Sequence, residues 1–427
     1  MHAPLPGFAS PESTAPQTPS PLTPKKEILS FKRRPLYNGG PLVSPVGFGG
    51  YRIGFSKSLG FPECVQALEL ALEKGVNLIE SGATYGQGQS ELLIGQTLQK
   101  LACLKNEALS REHFVIISKG GVLQGSNIEL AKTLQQEGKG FPEITELTSH
   151  TWHCIHPKFL YDQVERSCRR LKCETLDGYL LHNPEYMLKK FEQEGFAQKQ
   201  AQDLFYSKLR ESFLALEELV AQNKIRAYGI CSNHFGVSSQ QEFAALCLGK
   251  VHQIARSLPQ PHHFKIIQVP LNWIEVSTAF FQREELNNET ILTYAQKNDI
   301  GVMIHRPFHA MLNDGLIRLT RPQCFSQDEL EKLDVGLQKG LQNWTKLAAD
   351  LEQLAHEELF DAPGYEDAPL SQLVMSTLAH LPGVTSVLCG MRQESYVKDI
   401  EEAFWRPSLP QAQKYLRNIY ENLEFEY

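Results

Sequence analysis

The chain has 427 residues, of which 42% are apolar and 21% charged, with 22 Phe, 14 Tyr and 4 Trp. That is enough apolar side chain to bury a sizeable core, which excludes a wholly disordered chain. Lys and Arg number 42 against 49 Asp and Glu, a net charge of −7, so no general attraction to phosphate backbones follows and nucleic acid is not an expected partner.

Seven of the 24 prolines fall in the first 24 residues, with Ser and Thr filling much of the rest. Such a stretch buries too little apolar surface to order itself. Residues 1–35 are therefore expected to be a disordered Pro/Ser/Thr-rich tail and residues 36–427 the folded domain. The start lacks both the basic residues and the apolar core of a signal peptide.

From residue 44 the chain alternates short apolar or β-branched runs with amphipathic stretches, the sign of βα units and a parallel sheet. The first run is 44–54, followed by a helix that stops at Gly75. The second is 76–81, before a helix over 89–101 carrying Leu92, Leu93, Gly95 and Leu98. The third is 113–119, and its helix begins at Pro157 with Leu160, Val164, Cys168 and Leu171 on one face. Runs four to six are 176–182, 225–232 and 264–270, with helices over 202–222 and around Phe243, Leu246 and Ile254 between them. Run seven is 299–305, followed by helical regions at 326–358 and 370–381; run eight is 384–390, followed by a helix over 393–404.

Eight strands, each followed by a helix, is the count that closes an α/β (β/α)8 TIM barrel, with a doubly wound open sheet as the alternative. Segments 120–156, 183–203 and 309–365 look inserted after strands, which makes them long loop insertions at the C-terminal mouth. Nine scattered Cys with no CxxC pair argue against a disulfide framework or zinc ribbon, and no metal site is expected at His150, His153 and His156. No apolar run reaches the ~20 residues of a membrane helix. A cytoplasmic setting is the expectation.

Glu80 and Tyr85 follow strand two, Lys119 ends strand three and His182 ends strand four. In a barrel these positions converge, and the four groups make a sensible proton donor. Free Tyr has a pKa of ~10, and a neighbouring ammonium lowers it by favouring the phenolate. A carboxylate holds the ammonium, and an imidazole donates to the same carbonyl oxygen. The set lacks an electron source, so it needs a cofactor.

These residues lie in motifs that resemble the aldo-keto reductase superfamily. The stretch GVNLIESGATYGQGQSELLIGQTL (75–98) looks like that family's second βα unit. It is followed in order by VIISKGG (115–121), LDGYLLHNPE (176–185), IRAYGICSNHFG (225–236), IIQVPLN (266–272) and PGVTSVLCGMRQESYVKDI (382–400). The resemblance covers roughly 40–405 and looks most like a poorly characterised branch with enlarged loops. It implies that Tyr85 is the general acid, Lys119 its partner and His182 the carbonyl-orienting residue, with Glu80 where the family has Asp. It also implies NADP (NADPH) as cofactor. Ser232, Asn233 and Gln268 match the carboxamide contacts, His305 takes the place of the stacking aromatic, and Arg318 meets the pyrophosphate. Gly390 and Arg392 would meet the phosphate end of the cofactor, Arg392 its 2′-phosphate, with Tyr396 and Asp399 bordering the adenine.

Trp152, Tyr186 and Trp273 each follow a strand and are candidates for substrate contact, with packing as the alternative. The expected activity is NADP-dependent reduction of a small-molecule carbonyl, an aldehyde or ketone, to the alcohol, or the reverse on a sugar. The competing reading is a cofactor-binding regulatory subunit, as some superfamily members attach to ion channels.

Overall fold

A computed structural model of the chain describes residues 3–15, 32–53, 61–104, 110–237, 242–259, 261–312, 315–320, 335–359 and 361–423. Eight strands form its centre: β1 (Val46–Gly49), β2 (Leu78–Glu80), β3 (Val115–Gly120), β4 (Gly178–His182), β5 (Tyr228–Cys231), β6 (Phe264–Pro270), β7 (Gly301–His305) and β8 (Ser386–Cys389). Each pairs in parallel with its successor, and β8 pairs with β1, so the sheet closes. This is the expected (β/α)8 barrel, and the open-sheet alternative is gone.

Strand alternation sorts the side chains into two layers. Leu78, Val115, Ile117, Leu180, Ile266, Met303 and Leu388 fill the interior. Ile79, Ile116, Leu181, Ile230, Ile267, Val302 and Ile304 point outward into the larger core beneath the helices. Those helices are α1 (Phe61–Glu73), α2 (Gln89–Leu104), α3 (Pro157–Leu171), α4 (Gln198–Ala221), α5 (Leu248–Arg256), α6 (Ile291–Lys297), α7 (Leu370–Ala379) and α8 (Glu394–Trp405). In α3, Pro157 occupies the first turn as its missing N–H allows, and Leu160, Val164, Cys168 and Leu171 are buried. Gly95 lets α2 approach α3 closely: a Cβ there would lie 2.4 Å from the Arg170 carbonyl oxygen.

The three inserted segments carry structure of their own. The first holds a helix (Ser126–Gln136) and a three-stranded antiparallel sheet whose central strand, Thr151–His153, pairs with Val122–Leu123 and Thr145–Thr148. The second holds a short helix (Tyr186–Gln193), and the third a hairpin of His309–Leu312 with Gly315–Arg318. The long polar helix expected from 326 spans Val335–Glu358, and residues 321–334 lie outside the described residues. A final helix, Ala412–Asn422, is absent from the sequence expectations; its Tyr415, Leu416 and Ile419 are buried, and it packs on Val335–Glu358 and α7.

The beginning of the chain departs from the tail expected over 1–35. Residues 3–15 lie across the N-terminal end of the barrel. Leu5 bridges to Cys173 in parallel, with its N–H donating to the Lys172 carbonyl at 2.8 Å. The Ala9 N–H donates to Asp177 Oδ1 at 2.8 Å, and Ala9 joins Leu36 and Val43 beneath the barrel interior. Composition missed this because the segment needs little apolar area of its own: its backbone groups are satisfied by partners that the barrel already holds in place. Residues 16–31 lie outside the described residues.

Candidate active site

The alternation that packs the barrel interior also builds its mouth. Moving two residues along each strand from an inward apolar side chain reaches the next inward position: Leu78 leads to Glu80, Ile117 to Lys119, Leu180 to His182, Ile266 to Gln268, and Met303 to His305. Five polar side chains thus face one space above an apolar plug. Positive-φ residues follow closely, Gly121 (φ 138°) two residues after Lys119, Asn183 (φ 48°) after His182 and Arg306 (φ 59°) after His305, and they turn the chain out of the barrel at these ends.

Glu80 Oε1 is the hub. Lys119 Nζ forms an ion pair with it, Tyr85 OH donates to it at 3.2 Å, and Gln268 Nε2 donates at 3.2 Å. Lys119 Nζ also donates to Gln268 Oε1 at 3.3 Å and lies 4.6 Å from the centre of the Tyr85 ring. His182 stands edge-on to Tyr85, ring centres 5.9 Å apart, and Tyr51 covers the phenol from another side at 5.2 Å. Gly82 sits against this pair: a Cβ there would touch the Tyr85 ring and Lys119 Cε.

Burial dominates the protonation of the site. It pushes the Tyr85 phenol well above its ordinary 10, assisted by Cys231 and Tyr51. It pushes the Lys119 ammonium down to about 8, while the Glu80 carboxylate in contact with it favours keeping the proton. His182 is held well below 6.5 by burial, then by Lys119 and His153, so its imidazole is neutral. Burial thus outweighs the lowering expected from Lys119, and Tyr85 is held as a protonated phenol.

Next to this cluster, Asn233 Oδ1 meets His305 Nε2 at 3.0 Å, and Ser232 Oγ accepts from the His234 N–H at 2.9 Å. Further out, His309 is pushed down to about 4 by burial and then by Arg318, Arg52, Arg306 and Arg392. The charges of four guanidiniums therefore act on one side chain. Arg306 is paired with Glu275 at 2.7 Å, whereas no carboxylate of the described residues lies within ion-pairing distance of Arg52, Arg318 or Arg392. Arg392 Nε is buried without a hydrogen-bond partner among the described residues. Gly390 faces open space.

Residues 45–419 match the sequence profile of the Aldo/keto reductase family. This chain belongs to the aldo/keto reductase family. It is 21% identical over 383 residues to Aldo-keto reductase YhdN of Bacillus subtilis (strain 168), covering 89% of this chain and 91% of that protein. It is 25% identical over 203 residues to the NADH-specific methylglyoxal reductase of Escherichia coli (strain K12), 47% of this chain and 51% of that one. Among solved structures it is similar in fold to the glycerol dehydrogenase AKR11B4 from Gluconobacter oxydans, with a TM-score of 0.56 at 20% identity over 93% of this chain and 99% of that chain. It is similar too to an aldo/keto reductase from Klebsiella pneumoniae in complex with NADP and acetate, with a TM-score of 0.52 at 17% identity over 93% and 98% of the two chains.

Within this aldo/keto reductase the remaining sequence expectations fare unevenly. Trp273 takes the packing alternative: it is fully buried, with Nε1 donating to Thr377 Oγ1 at 3.1 Å on α7, and packs the barrel against its helix layer. Asp399 turns to α7, where Gln372 Nε2 donates to it at 3.2 Å. Gln268 meets Lys119 Nζ at 3.3 Å and Glu80 Oε1 at 3.2 Å. Tyr186 is half-buried, its ring 5.9 Å from that of His153, and Trp152 is half-buried with Lys132 Nζ 5.6 Å from its ring centre. Tyr396 is half-buried on α8 and Arg318 half-buried on the inserted hairpin, with Nε donating to Thr320 Oγ1 at 3.0 Å. Sequence reasoning missed Arg52 and Arg306 in the guanidinium group. Arg306 adjoins His305, a signal that was present; Arg52, a lone charge in the run 44–54, carried none.

Proposed function

We propose that this enzyme reduces an aldehyde or ketone to the alcohol with NADPH, or runs the reverse reaction on a sugar or related alcohol. Residues of this chain fit that cofactor. Asn233 with Ser232 would hold the carboxamide of the nicotinamide, His305 fixing the Asn233 side chain by the 3.0 Å contact to its oxygen. Arg392 and Arg318, with Arg52, would hold the phosphates, and the buried Nε of Arg392, which has no hydrogen-bond partner among the described residues, is a donor suited to an anion. A cluster with this much unpaired positive charge favours the extra phosphate of NADP over NAD. When bound, NADPH supplies a hydride to the carbonyl carbon.

Everything else falls to the side chains. The carbonyl oxygen docks between Tyr85 OH and His182, whose neutral ring donates a hydrogen bond to it. Tyr85 gives its proton to that oxygen as negative charge develops there. The phenolate left behind lies beside the Lys119 ammonium, which Glu80 and Gln268 hold in position. Burial of Tyr85 excludes water that would otherwise compete for the proton.

The observation that carries this reading is the convergence of Tyr85, His182, Lys119 and Glu80 on one buried space; the complete donor set favours catalysis over a regulatory subunit. The test is NADPH oxidation across a panel of aldehydes and ketones, comparing wild type with Tyr85→Phe. Loss of the general acid should lower kcat by about 10²–10⁴ while NADPH binding is kept. Equal turnover of a substrate by both proteins would sink the proposal.

A further inference from the structure

The first inserted segment does more than lengthen the barrel rim. After Lys119, β3 runs on through Gly120 and Gly121 into Val122–Leu123, and that short strand pairs with Thr151–His153 so that Val122 faces His153. The Cys154 N–H donates to the Gly121 carbonyl at 2.9 Å. The hairpin thereby brings His153, fully buried, beneath the end of β4, where its Nε2 lies 3.0 Å from the His182 carbonyl oxygen. A carbonyl only accepts, so Nε2 carries the proton. Burial holds His153 neutral down to about pH 4, which keeps that tautomer in place at neutral pH. Gly121 is needed for the approach: its φ is 138°, and a Cβ there would sit 2.9 Å from the His182 oxygen and 3.0 Å from His153 Nε2.

We propose that His153 is a positioning residue for the reaction: it clamps the backbone of His182, and so sets where the His182 ring meets the substrate carbonyl. The proposal rests on the reading of His182 as the carbonyl-facing donor. The insertion is what makes the clamp possible, because its hairpin carries His153 to the end of β4 at the height of the reacting groups.

The test is a set of variants assayed for aldehyde reduction and, separately, for NADPH binding. His153→Leu removes the donor; His153→Gln returns an amide N–H at nearly the reach of Nε2. His153→Leu should lower kcat/KM by about tenfold, the worth of one neutral hydrogen bond, with NADPH affinity unchanged, and His153→Gln should regain most of it. Should His153→Leu not fold, His153→Asn, whose amide stops short, serves as the donor-deficient variant. In the double variant with His182→Ala, the His153 substitution should add nothing. A multiplicative further loss, or full activity in His153→Leu, would overturn the clamp while leaving the reading of His182 intact. Full activity in His182→Ala would instead remove that reading, and the clamp with it.

Discussion

Glu80→Gln keeps the shape of the side chain and removes the negative charge beside Lys119. The ammonium is fully buried and burial already pushes it down to about 8. With the carboxylate gone, only neutral amide oxygens accept from it, that of the new side chain and Gln268 Oε1 at 3.3 Å. Two limits bound the cost. Should Lys119 keep its proton, an uncompensated buried charge costs about 3–5 kcal/mol. Should it shed the proton, the cost at pH 7 is about 1.4 kcal/mol for each unit by which its pKa falls below the wild-type value, down to pH 7 itself. The sign with pH follows from the direction of the shift. A lysine depressed in the folded state binds fewer protons than the unfolded chain between its folded value and 10.5, so stability rises with pH through that window. In wild type the window opens at about 8; in the variant it opens lower. The gap between the two proteins therefore narrows as pH rises through neutrality and closes at higher pH, where Lys119 is neutral in both. Urea unfolding of each protein at several values between about pH 6.5 and 9 measures it. A destabilisation below about 0.5 kcal/mol at neutral pH, or a gap that does not change with pH, would refute the argument that Glu80 keeps Lys119 charged.

Two other substitutions probe opposite ends of the barrel. Arg392→Ala removes a guanidinium whose buried Nε has no partner among the described residues; NADPH affinity should fall by about 10–100-fold, the worth of a charged hydrogen bond, with NADH affinity little changed, as titration of cofactor fluorescence would report. Equal losses for both nucleotides would remove Arg392 from the 2′-phosphate. Asp177→Asn strips the partner from Arg111, whose Nη2 lies 2.6 Å from Asp177 Oδ2, and puts an amide where the Ile116 and Ala9 N–H groups also need acceptors. Both charges are buried, so the variant should lose about 3–5 kcal/mol and melt earlier, yet turn over normally at temperatures where it is folded, because Asp177 lies at the end of the barrel away from the mouth. An unchanged melting temperature would show that this buried pair does not hold the N-terminal segment and β3 together.

The barrel was legible because its signal is local and repeated. Each strand announces itself by four to eight apolar residues and each helix by a stripe, and eight such pairs close in one way. Glu80, Lys119 and His182 were legible for the same reason: a polar residue placed two positions after an inward apolar one must stand at the mouth. The packed N-terminal segment was not legible, since its own composition is that of a solvated chain and what orders it is Asp177, Lys172 and the floor of the barrel. Trp273 stayed open because a tryptophan just beyond a strand can turn either way, and only the position of Thr377 on α7, 104 residues later, decides it.

By itself, then, the sequence determined the order of the elements and the chemical types present at the mouth, because period-two and helical periodicities are properties of neighbouring residues. The tertiary structure decided which partners those groups meet: Gln268 bound to Lys119 and Glu80, the charges of four arginines acting on His309, and His153 beneath His182. These are contacts between strands and insertions far apart in the chain, and their effect on protonation comes from a burial that only closure of the barrel creates. Tyr85 shows the difference most plainly, since its position was readable from its motif but its resistance to losing a proton was set by the dry enclosure around it.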